Sequence, residues 1–320
     1  MMRSLYSAIS GLKNHQIKMD VIGNNIANVN TTGFKRSRVS FATTLSQTLK
    51  GASTPSQTLG GTNPTQVGMG AVLSSIDQIM TQGSSQSTSN PTDMMIQGSG
   101  FFILDNNGTV YSRAGAFSLD GEGNLIDPGS GAKVQGYMYS GSTAGTPGTP
   151  ATPGTQGTLA TELSGIKILK GSGLDNAVIT EDPITVPVLD SYSIDAKGVI
   201  TGKYITPAQV DAAGTVTTPS LTENFQIGQI ALANFANDAG LENMGNNFYS
   251  VTPNSGAVSV GTAGSVGRGS IVTNTVEMSN VDLSTEFTDM IVAQRGFQAN
   301  SRVITVSDSL LEELINLKRS

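Results

Sequence analysis

The stretch LSTEFTDMIVAQRGFQANSRVITVSDSLL, residues 283–311, decides the fold. Apolar side chains recur in it at every seventh position, and a second, partly polar row follows each of them by four residues. The apolar row is Leu283, Met290, Phe297, Ile304 and Leu311, and the mixed row is Phe287, Gln294, Ser301, Asp308 and Ile315. Because spacings of four and three form the heptad of a coiled coil, we predict a helix of roughly 35 residues whose seam needs a partner.

The N-terminal segment repeats this pattern. Its apolar row is Leu5, Leu12, Met19 and Ile26, and its second row is Ile9, Gln16 and Gly23. A run rich in Asn, Thr and Gly at 28–33 ends the helix. Matching periods at opposite ends of the chain favour pairing of the two helices with each other. Two unrelated amphipathic helices on one core are the alternative.

The residues between the helices change character twice. Four apolar residues have the spacing of a short helix, namely Phe34, Phe41, Leu45 and Leu49, and the polar run GASTPSQTLGGTNPTQ (51–66) follows them. We expect an extended connector there. From Ile76 onward, apolar runs alternate with turn signals such as Asn106-Asn107-Gly108, a pattern typical of a β-meander.

The predicted fold class is therefore α+β, with paired long N- and C-terminal helices of coiled-coil type and a central, turn-rich all-β region of one or two small domains. We expect a helical domain made of 1–30 with 281–320, and an extended connector at 31–75. A β domain is expected from 76–140 with 191–280. Residues 141–190 are expected to form a small outer β insertion, in which 141–157 are a Gly/Pro/Thr-rich loop.

The composition excludes several classes of protein. The chain has no Cys and one His, so disulfides, thiolate sites and histidine chemistry are not expected. Its net charge is −6, although residues 1–50 carry seven Lys/Arg and one acid. No aromatic residues are interleaved with these cations, so we predict no nucleic-acid binding. No apolar run reaches the roughly 18 residues of a membrane span, and no cleavable signal peptide is recognisable; these two features alone indicate a cytosolic protein.

Candidate catalytic motifs lack supporting residues. Ser10 and Lys13 match an S-x-x-K pattern without its companion triplets. The Gly-rich segment 264–269 precedes a strand-like run instead of a helix, and Asp105–Gly108 is a truncated calcium-like loop better explained as a turn. The carboxylates of the turn-rich stretch, Asp120, Glu122 and Asp127, are expected to be solvated. We predict no enzyme activity, no cofactor and no metal site.

Several segments together resemble the bacterial flagellar rod and hook proteins. They are DVIGNNIAN (20–28), TTGFK (31–35), GSGFF (98–102), YSRAGAF (111–117), VQGY (134–137), EMSNVDL (277–283) and MIVAQR (290–295). The positions taken as the family motif are Asn24, Asn25, Asn28, Gly33, Phe34, Ser279, Asn280, Gln294 and Arg295. Within the family, LDSYSID (189–195), GVITG (198–202) and GQIALANF (228–235) resemble hook proteins. The short outer segment 141–190 departs from many hooks, and the long connector 44–70 is more similar to the distal rod protein.

The resemblance implies a structural subunit of the flagellar hook, with the distal rod protein as the alternative. Its expected partners are other copies of the chain, the distal rod protein, the hook cap and hook–filament junction proteins, and the flagellar type III export apparatus. Export through that apparatus without a cleaved signal peptide would place the protein in the extracellular flagellum and overturn the cytosolic interpretation. The seam rows would pack within and between subunits, and Gln16, Gln294, Ser301 and Asp308 would fix their register. A secreted β-rich adhesin or hook-associated enzyme is a further hypothesis.

Overall fold

The computed structural model describes residues 2–55, 60–140, 158–168, 188–206, 209–210, 216–218, 221–265 and 267–317. Helix α1 spans Met2–Ala27 and helix α2 spans Leu283–Leu317. The chain forms two compact units: unit 1 contains 1–30, 35–81 and 280–320, and unit 2 contains 31–34 and 82–279. The prediction of an α+β fold with terminal helices and a central β region is confirmed, whereas the four-part domain division remains a prediction.

Local polar groups fix the start of α2. The Asp282 side chain accepts hydrogen bonds from the Ser284 amide at 2.9 Å and from the Thr285 hydroxyl at 3.0 Å. An acid at this position satisfies amides that have no partner inside the helix. The Thr285 hydroxyl and the Ser284 amide hold the pKa of the Asp282 carboxyl below its ordinary value. Helix α2 therefore begins at the residue where the heptad pattern begins.

Unit 1 also contains a long antiparallel hairpin. Its strands are β1 (Ser37–Thr43), β2 (Ser46–Lys50), β3 (Thr65–Gly68) and β4 (Ala71–Gln78). Strand β1 pairs with β4, from Ser37 opposite Gln78 to Thr43 opposite Ala71, and β2 pairs with β3. The short helix suggested by the apolar spacing of 34–49 is therefore wrong. Between these apolar residues, the β-branched Val39, Thr43, Thr44 and Thr48 suit a strand, and the partner strand supplies the hydrogen bonds.

Unit 2 is built from short antiparallel strands. They are β5 (Ser85–Ser87), β6 (Met94–Gln97), β7 (Phe101–Asp105), β8 (Thr109–Ser112), β9 (Ser118–Leu119), β10 (Leu125–Ile126), β11 (Lys133–Ser140), β12 (Thr158–Leu159), β13 (Ser164–Gly165), β14 (Val188–Ile194), β15 (Val199–Thr206), β16 (Gln209–Val210), β17 (Val216–Thr218), β18 (Leu221–Asn234), β19 (Glu242–Gly245), β20 (Phe248–Ser250), β21 (Ser259–Thr262), β22 (Ser270–Thr273) and β23 (Thr275–Glu277). The main sheet runs in the order β14-β15-β18-β11-β7-β8-β20-β19, while β22 pairs with β6 and β23 with β5 outside it.

The core of unit 2 lies against the main sheet. Its fully buried residues include Phe102, Leu104, Leu125, Val134 and Ile230. The predicted turn at 106–108 is confirmed: it joins β7 to β8, with Asn107 at φ 54°. The predicted loop 141–157 lies outside the described residues. Neither described α-helix carries an apolar segment long enough to cross a membrane.

Candidate assembly surface

Helices α1 and α2 lie against each other in opposite directions. Lys18 on α1 pairs with Asp289 on α2 at 3.0 Å. Asn25, further along α1, donates to Glu286, which comes earlier on α2, at 3.2 Å. Because residue numbers rise along one helix as they fall along the other, the pair is antiparallel.

Two glycines, Gly11 on α1 and Gly296 on α2, lie directly against side chains of the other helix. A Cβ atom on Gly296 would lie 2.5 Å from the ring of His15, and one on Gly11 would lie 2.6 Å from Asn300 Nδ2. The ring of His15 therefore occupies the space in which a side chain at 296 would stand. Small residues at a helix contact let the two backbones come closer than large ones would.

The residues of the apolar heptad rows are partly buried, except Leu283, which is exposed. The partly buried ones are Leu5, Leu12, Met19, Ile26, Met290, Phe297, Ile304 and Leu311. Among the buried residues between them, Asn14 and Asn25 are polar residues of α1. The others are Ala8, Ile22, Glu286, Ala293 and Ser307, which stand one residue before the predicted mixed rows, as do the partly buried His15 and Asn300.

The predicted mixed rows mostly face away from the helix pair. Phe287 is 51% exposed and Ile315 is 61% exposed. Ile9, Gln16, Gln294 and Asp308 are also exposed, Ser301 is partly buried, and a Cβ on Gly23 would meet no atom within 4 Å. The rows buried within one chain thus stand one residue before the predicted mixed rows, and the predicted assembly seam remains a prediction. The mixed rows are left on the surface.

A buried carboxylate ties the two helices to the hairpin. The side chain of Glu286 is 1% exposed and lies 3.1 Å from the guanidinium of Arg36, which directly precedes β1. Asn25 donates to Glu286 and also exchanges two hydrogen bonds of 2.9 Å with the backbone of Ser37. A buried charge is tolerated only when it is paired and hydrogen-bonded, so this cluster fixes α1, α2 and β1 relative to one another.

Asn280 makes a second link inside unit 1. Its side-chain oxygen accepts from the Arg36 amide at 2.8 Å, and its amide group donates to the carbonyls of Ile79 at 2.7 Å and Thr81 at 3.1 Å. The ammonium of Lys35 donates to the same Thr81 carbonyl at 2.8 Å. The base of the hairpin is thereby bound to the segment that leads into α2.

Unit 2 contains its own buried ion pair. The guanidinium of Arg113 lies 3.4 Å from the carboxylate of Glu277, and their side chains are 4% and 0% exposed. Beside them, Gly33 adopts φ 71° and donates its amide to the Glu277 carbonyl at 2.7 Å. A Cβ on Gly33 would lie 2.5 Å from the amide nitrogen of Ala114. Only glycine fits this backbone conformation and this space.

The candidate catalytic residues serve local structure. The Ser10 hydroxyl donates to the carbonyl of Ser7 at 2.8 Å, and Lys13 is exposed. Asp120 accepts from the Asn124 side chain and amide, each at 2.7 Å, and the side-chain bond is the main reason that its pKa is lowered. No group of three or more His, Cys, Asp or Glu suited to a metal ion occurs among the described residues.

Comparison with known proteins assigns the family. The description "Flagella basal body rod protein" matches residues 5–35, "Flagellar hook protein FlgE/F/G D1 domain" matches 95–218, and "Flagellar basal body rod FlgEFG protein C-terminal" matches 272–317. The flagellar basal-body rod protein FlgG of Bacillus subtilis is 41% identical over 322 residues, covering all of both chains.

The chain belongs to the flagellar rod and hook protein family. The flagellar hook protein FlgE of Treponema pallidum is 32% identical over 463 residues, covering all of both chains. That of Borreliella burgdorferi is 35% identical over 442 residues, covering 99% of this chain and all of the relative. This is a family of structural flagellar proteins and not of enzymes, and the resemblance stated from the motifs is confirmed.

The motif positions that identified this flagellar family divide into two groups. Asn25, Asn280 and Gly33 belong to the buried clusters described above, Phe34 and Ser279 are buried, and Asn28 donates to the carbonyl of Asn24 at 2.9 Å just beyond α1. Gln294 and Arg295 are exposed on α2. Sequence reasoning missed Arg36, Glu286, Arg113 and Glu277 as site residues. Arg36, Arg113 and Glu277 lie inside or directly beside the motif segments of the family resemblance, and that position is the signal that could have identified them.

The flagellar chain also leaves much apolar surface uncovered in unit 1. On α2 the exposed large apolar side chains are Leu283, Phe287, Ile291, Val292, Val303, Val306, Leu310, Leu314 and Ile315. On or beside the hairpin strands they are Phe41, Leu45, Leu49, Val67, Met69, Val72, Leu73 and Ile76, with Leu45 81% exposed. Large exposed apolar patches mark interaction surfaces. We call these two sets of residues the assembly surface.

Proposed function

We propose that the chain is a structural subunit that self-assembles into the flexible helical tube of the flagellar hook. The observation that carries this proposal is the assembly surface: α2 and the hairpin expose apolar rows while polar clusters fix the elements that bear them. Burying a Phe or Leu side chain stabilises a contact by about 1.5–3 kcal/mol, so such rows favour association.

Contacts between copies would be made by the rows that the helix pair leaves free. A tube requires a contact between two different surfaces of each subunit, repeated without closing. In this proposal the coiled-coil seam of α1 and α2 packs within the chain, and the mixed rows pack against neighbouring copies. Gln16, Gln294, Ser301 and Asp308 would then set the register between copies at some loss of stability.

The distal rod protein is the second candidate, and two observations favour it. The 41% identity to a rod protein exceeds the 32% and 35% identities to two hook proteins. The alignment with the rod protein spans 322 positions, whereas that with the Treponema hook protein spans 463, so that hook protein carries roughly 140 residues that this chain lacks. The hook assignment is supported by the hook-like segments at 189–195, 198–202 and 228–235.

Electron microscopy of the polymer formed by the purified chain distinguishes these candidates. Curved, flexible tubes support the hook assignment, and straight, rigid tubes support the rod assignment. A chain that stays monomeric under all assembly conditions would contradict both. Removal of residues 312–320 is expected to abolish tubes, and a truncated chain that still polymerises would count against the seam.

A matched pair of substitutions tests the mixed row directly. Phe287→Glu places a charge on the exposed apolar row of α2, and Thr288→Glu places the same charge on the next, also exposed, residue. We expect the first to raise the critical concentration for polymerisation at least about tenfold, given the energy of burying a Phe side chain. The second should change it little. Equal effects of the two variants would show that the added charge raises the critical concentration wherever it is placed, and that the apolar row does not take part in assembly.

The proposed surroundings follow from the family. The partners would be the distal rod protein, the hook cap and hook–filament junction proteins, and the type III export apparatus, with export that needs no cleaved signal peptide.

We also propose that the terminal helices of the free chain are unordered until assembly. Hydrogen exchange tests this point: strong amide protection in both helices of the free chain would contradict it.

A further inference from the structure

The chain passes between unit 1 and unit 2 four times. The passages lie at residues 30/31, 34/35, 81/82 and 279/280. Inside unit 2, the residues next to these passages form what we call the joint: residues 31–34, 82–87 and 275–279. Any force that reaches unit 2 through the backbone enters at the joint.

Backbone hydrogen bonds hold the joint segments side by side. Strand β23 pairs with β5, from Thr275 opposite Ser87 to Glu277 opposite Ser85. The Met278 amide donates to the carbonyl of Ser84, and the Gly33 amide donates to that of Glu277, at 2.8 and 2.7 Å. The joint is thus a small ladder, separate in its hydrogen bonding from the main sheet.

Glu277 also joins these segments through its side chain. Its Oε1 atom accepts from the Gly83 amide at 2.8 Å, and its Oε2 atom lies 3.4 Å from Nη1 of Arg113. The carboxylate is completely buried. It therefore stands between the joint ladder and the residue that follows β8.

Arg113 connects that carboxylate to the main sheet. Its Nη2 atom donates to the carbonyl of Gly98 at 2.8 Å, and Nη1 donates to that of Ile96 at 3.4 Å. Its guanidinium lies over the ring of Phe101 on β7, 5.3 Å from the ring centre. Separating Arg113 from Glu277 would leave the buried guanidinium without this carboxylate, which is strongly unfavourable.

We propose that Arg113 and Glu277 form a latch that makes the joint and the main sheet open together. Without the pair, the joint ladder would open alone, since it is short and its strands pair with no strand of the main sheet. With it, a pull on the joint is resisted by the whole of unit 2. The relevance of this to torque rests on the proposed function, but the coupling itself is a property of the single chain.

Native-state hydrogen exchange of the full-length free chain tests the latch. In the wild type, the amides of Gly33 and Met278 should exchange at rates within about tenfold of those of Phe102 and Leu104 in the main sheet. In Glu277→Gln the buried guanidinium loses its partner, so both sets of amides should exchange faster, but the joint amides should then exchange at least about 100-fold faster than those of Phe102 and Leu104. Arg113→Lys keeps the charge but cannot make all of the same bonds, and it should produce the same pattern more weakly.

Gln82→Ala is the matched control within the joint. The side chain of Gln82 bonds to the Gly98 amide at 3.2 Å and to the Ile96 carbonyl at 3.4 Å, but this residue is exposed. Its loss should change joint exchange by less than about tenfold, because exposed hydrogen bonds contribute little. An equal acceleration of joint and sheet amides in Glu277→Gln would overturn the latch, and so would no acceleration.

If the variants fail to fold, the hydrogen-exchange rates of the wild type alone still test the latch. Joint amides that exchange orders of magnitude faster than sheet amides in the wild type would overturn the proposal. The outcome is independent of polymerisation. A chain that forms no tubes but shows coupled exchange would contradict the proposed function and leave the latch standing.

Discussion

Replacing Gly296 by alanine tests how closely α1 and α2 approach. In an open helix position this change would stabilise by about 1 kcal/mol, because alanine is the better helix former. Here the new Cβ would lie 2.5 Å from the ring of His15, well inside ordinary van der Waals contact. Forcing a packed ring aside costs about 1–3 kcal/mol. We therefore expect a net loss of about 1 kcal/mol.

Alanine substitutions at two other glycines give stability changes with which the effect of Gly296→Ala can be compared. Gly23 lies in α1, and its added Cβ would meet no atom within 4 Å, so Gly23→Ala should gain about 1 kcal/mol. Gly11→Ala should fall between the two, because the obstructing atom is the amide end of the Asn300 side chain, at 2.6 Å, which can rotate away. Stability is therefore expected to fall in the order Gly23→Ala, Gly11→Ala, Gly296→Ala.

The assay is denaturant unfolding of the polymer followed by far-ultraviolet circular dichroism, because the terminal helices are proposed to be unordered in the free chain. A double variant with His15→Ala completes the test, because removing the ring should remove most of the cost of Gly296→Ala. If Gly296→Ala stabilises as much as Gly23→Ala, the close approach of the helices is refuted. The same conclusion follows if the cost persists without the ring.

Three further perturbations probe the buried clusters. Glu286→Gln should cost about 3 kcal/mol in denaturant unfolding, because it leaves a mostly buried guanidinium unpaired; Asp289→Asn, at a more exposed pair, should cost less than about 1 kcal/mol. Gly33→Ala should lower the melting temperature clearly more than Gly131→Ala, because both have φ above 70° but only Gly33 faces backbone at 2.5 Å. Burial raises the pKa of Tyr249 from 10.0 to about 12, so stability should fall as pH rises through this interval, and Tyr249→Phe should reduce that slope in alkaline unfolding curves.

The heptad pattern predicted the helices well because it depends on local periodicity. Helix α2 begins at Leu283, where the apolar row begins, since Asp282 caps it. The pattern also found the apolar rows that flank the contact between the helices. These features require no knowledge of distant residues, so a single sequence contains them.

The polar clusters could not be predicted in the same way. Arg113 and Glu277 are separated by 164 residues, and nothing in the local pattern of either identifies its partner. Glu286 has the appearance of an ordinary acidic residue near a helix start, where it would normally face water. Only the folded chain shows that it is buried against Arg36.

On both helices, the row buried within the chain differs by one residue from the predicted mixed row. Hydrophobicity selects large side chains such as Phe287 and Ile9, whereas the neighbouring Glu286 and Ala8 are the buried ones. Ala293 is likewise buried beside the exposed Gln294. Because the mixed rows are not used inside the chain, their large apolar members remain on its surface. That displacement accounts for how one pair of helices can hold itself together and still present apolar rows to neighbouring subunits.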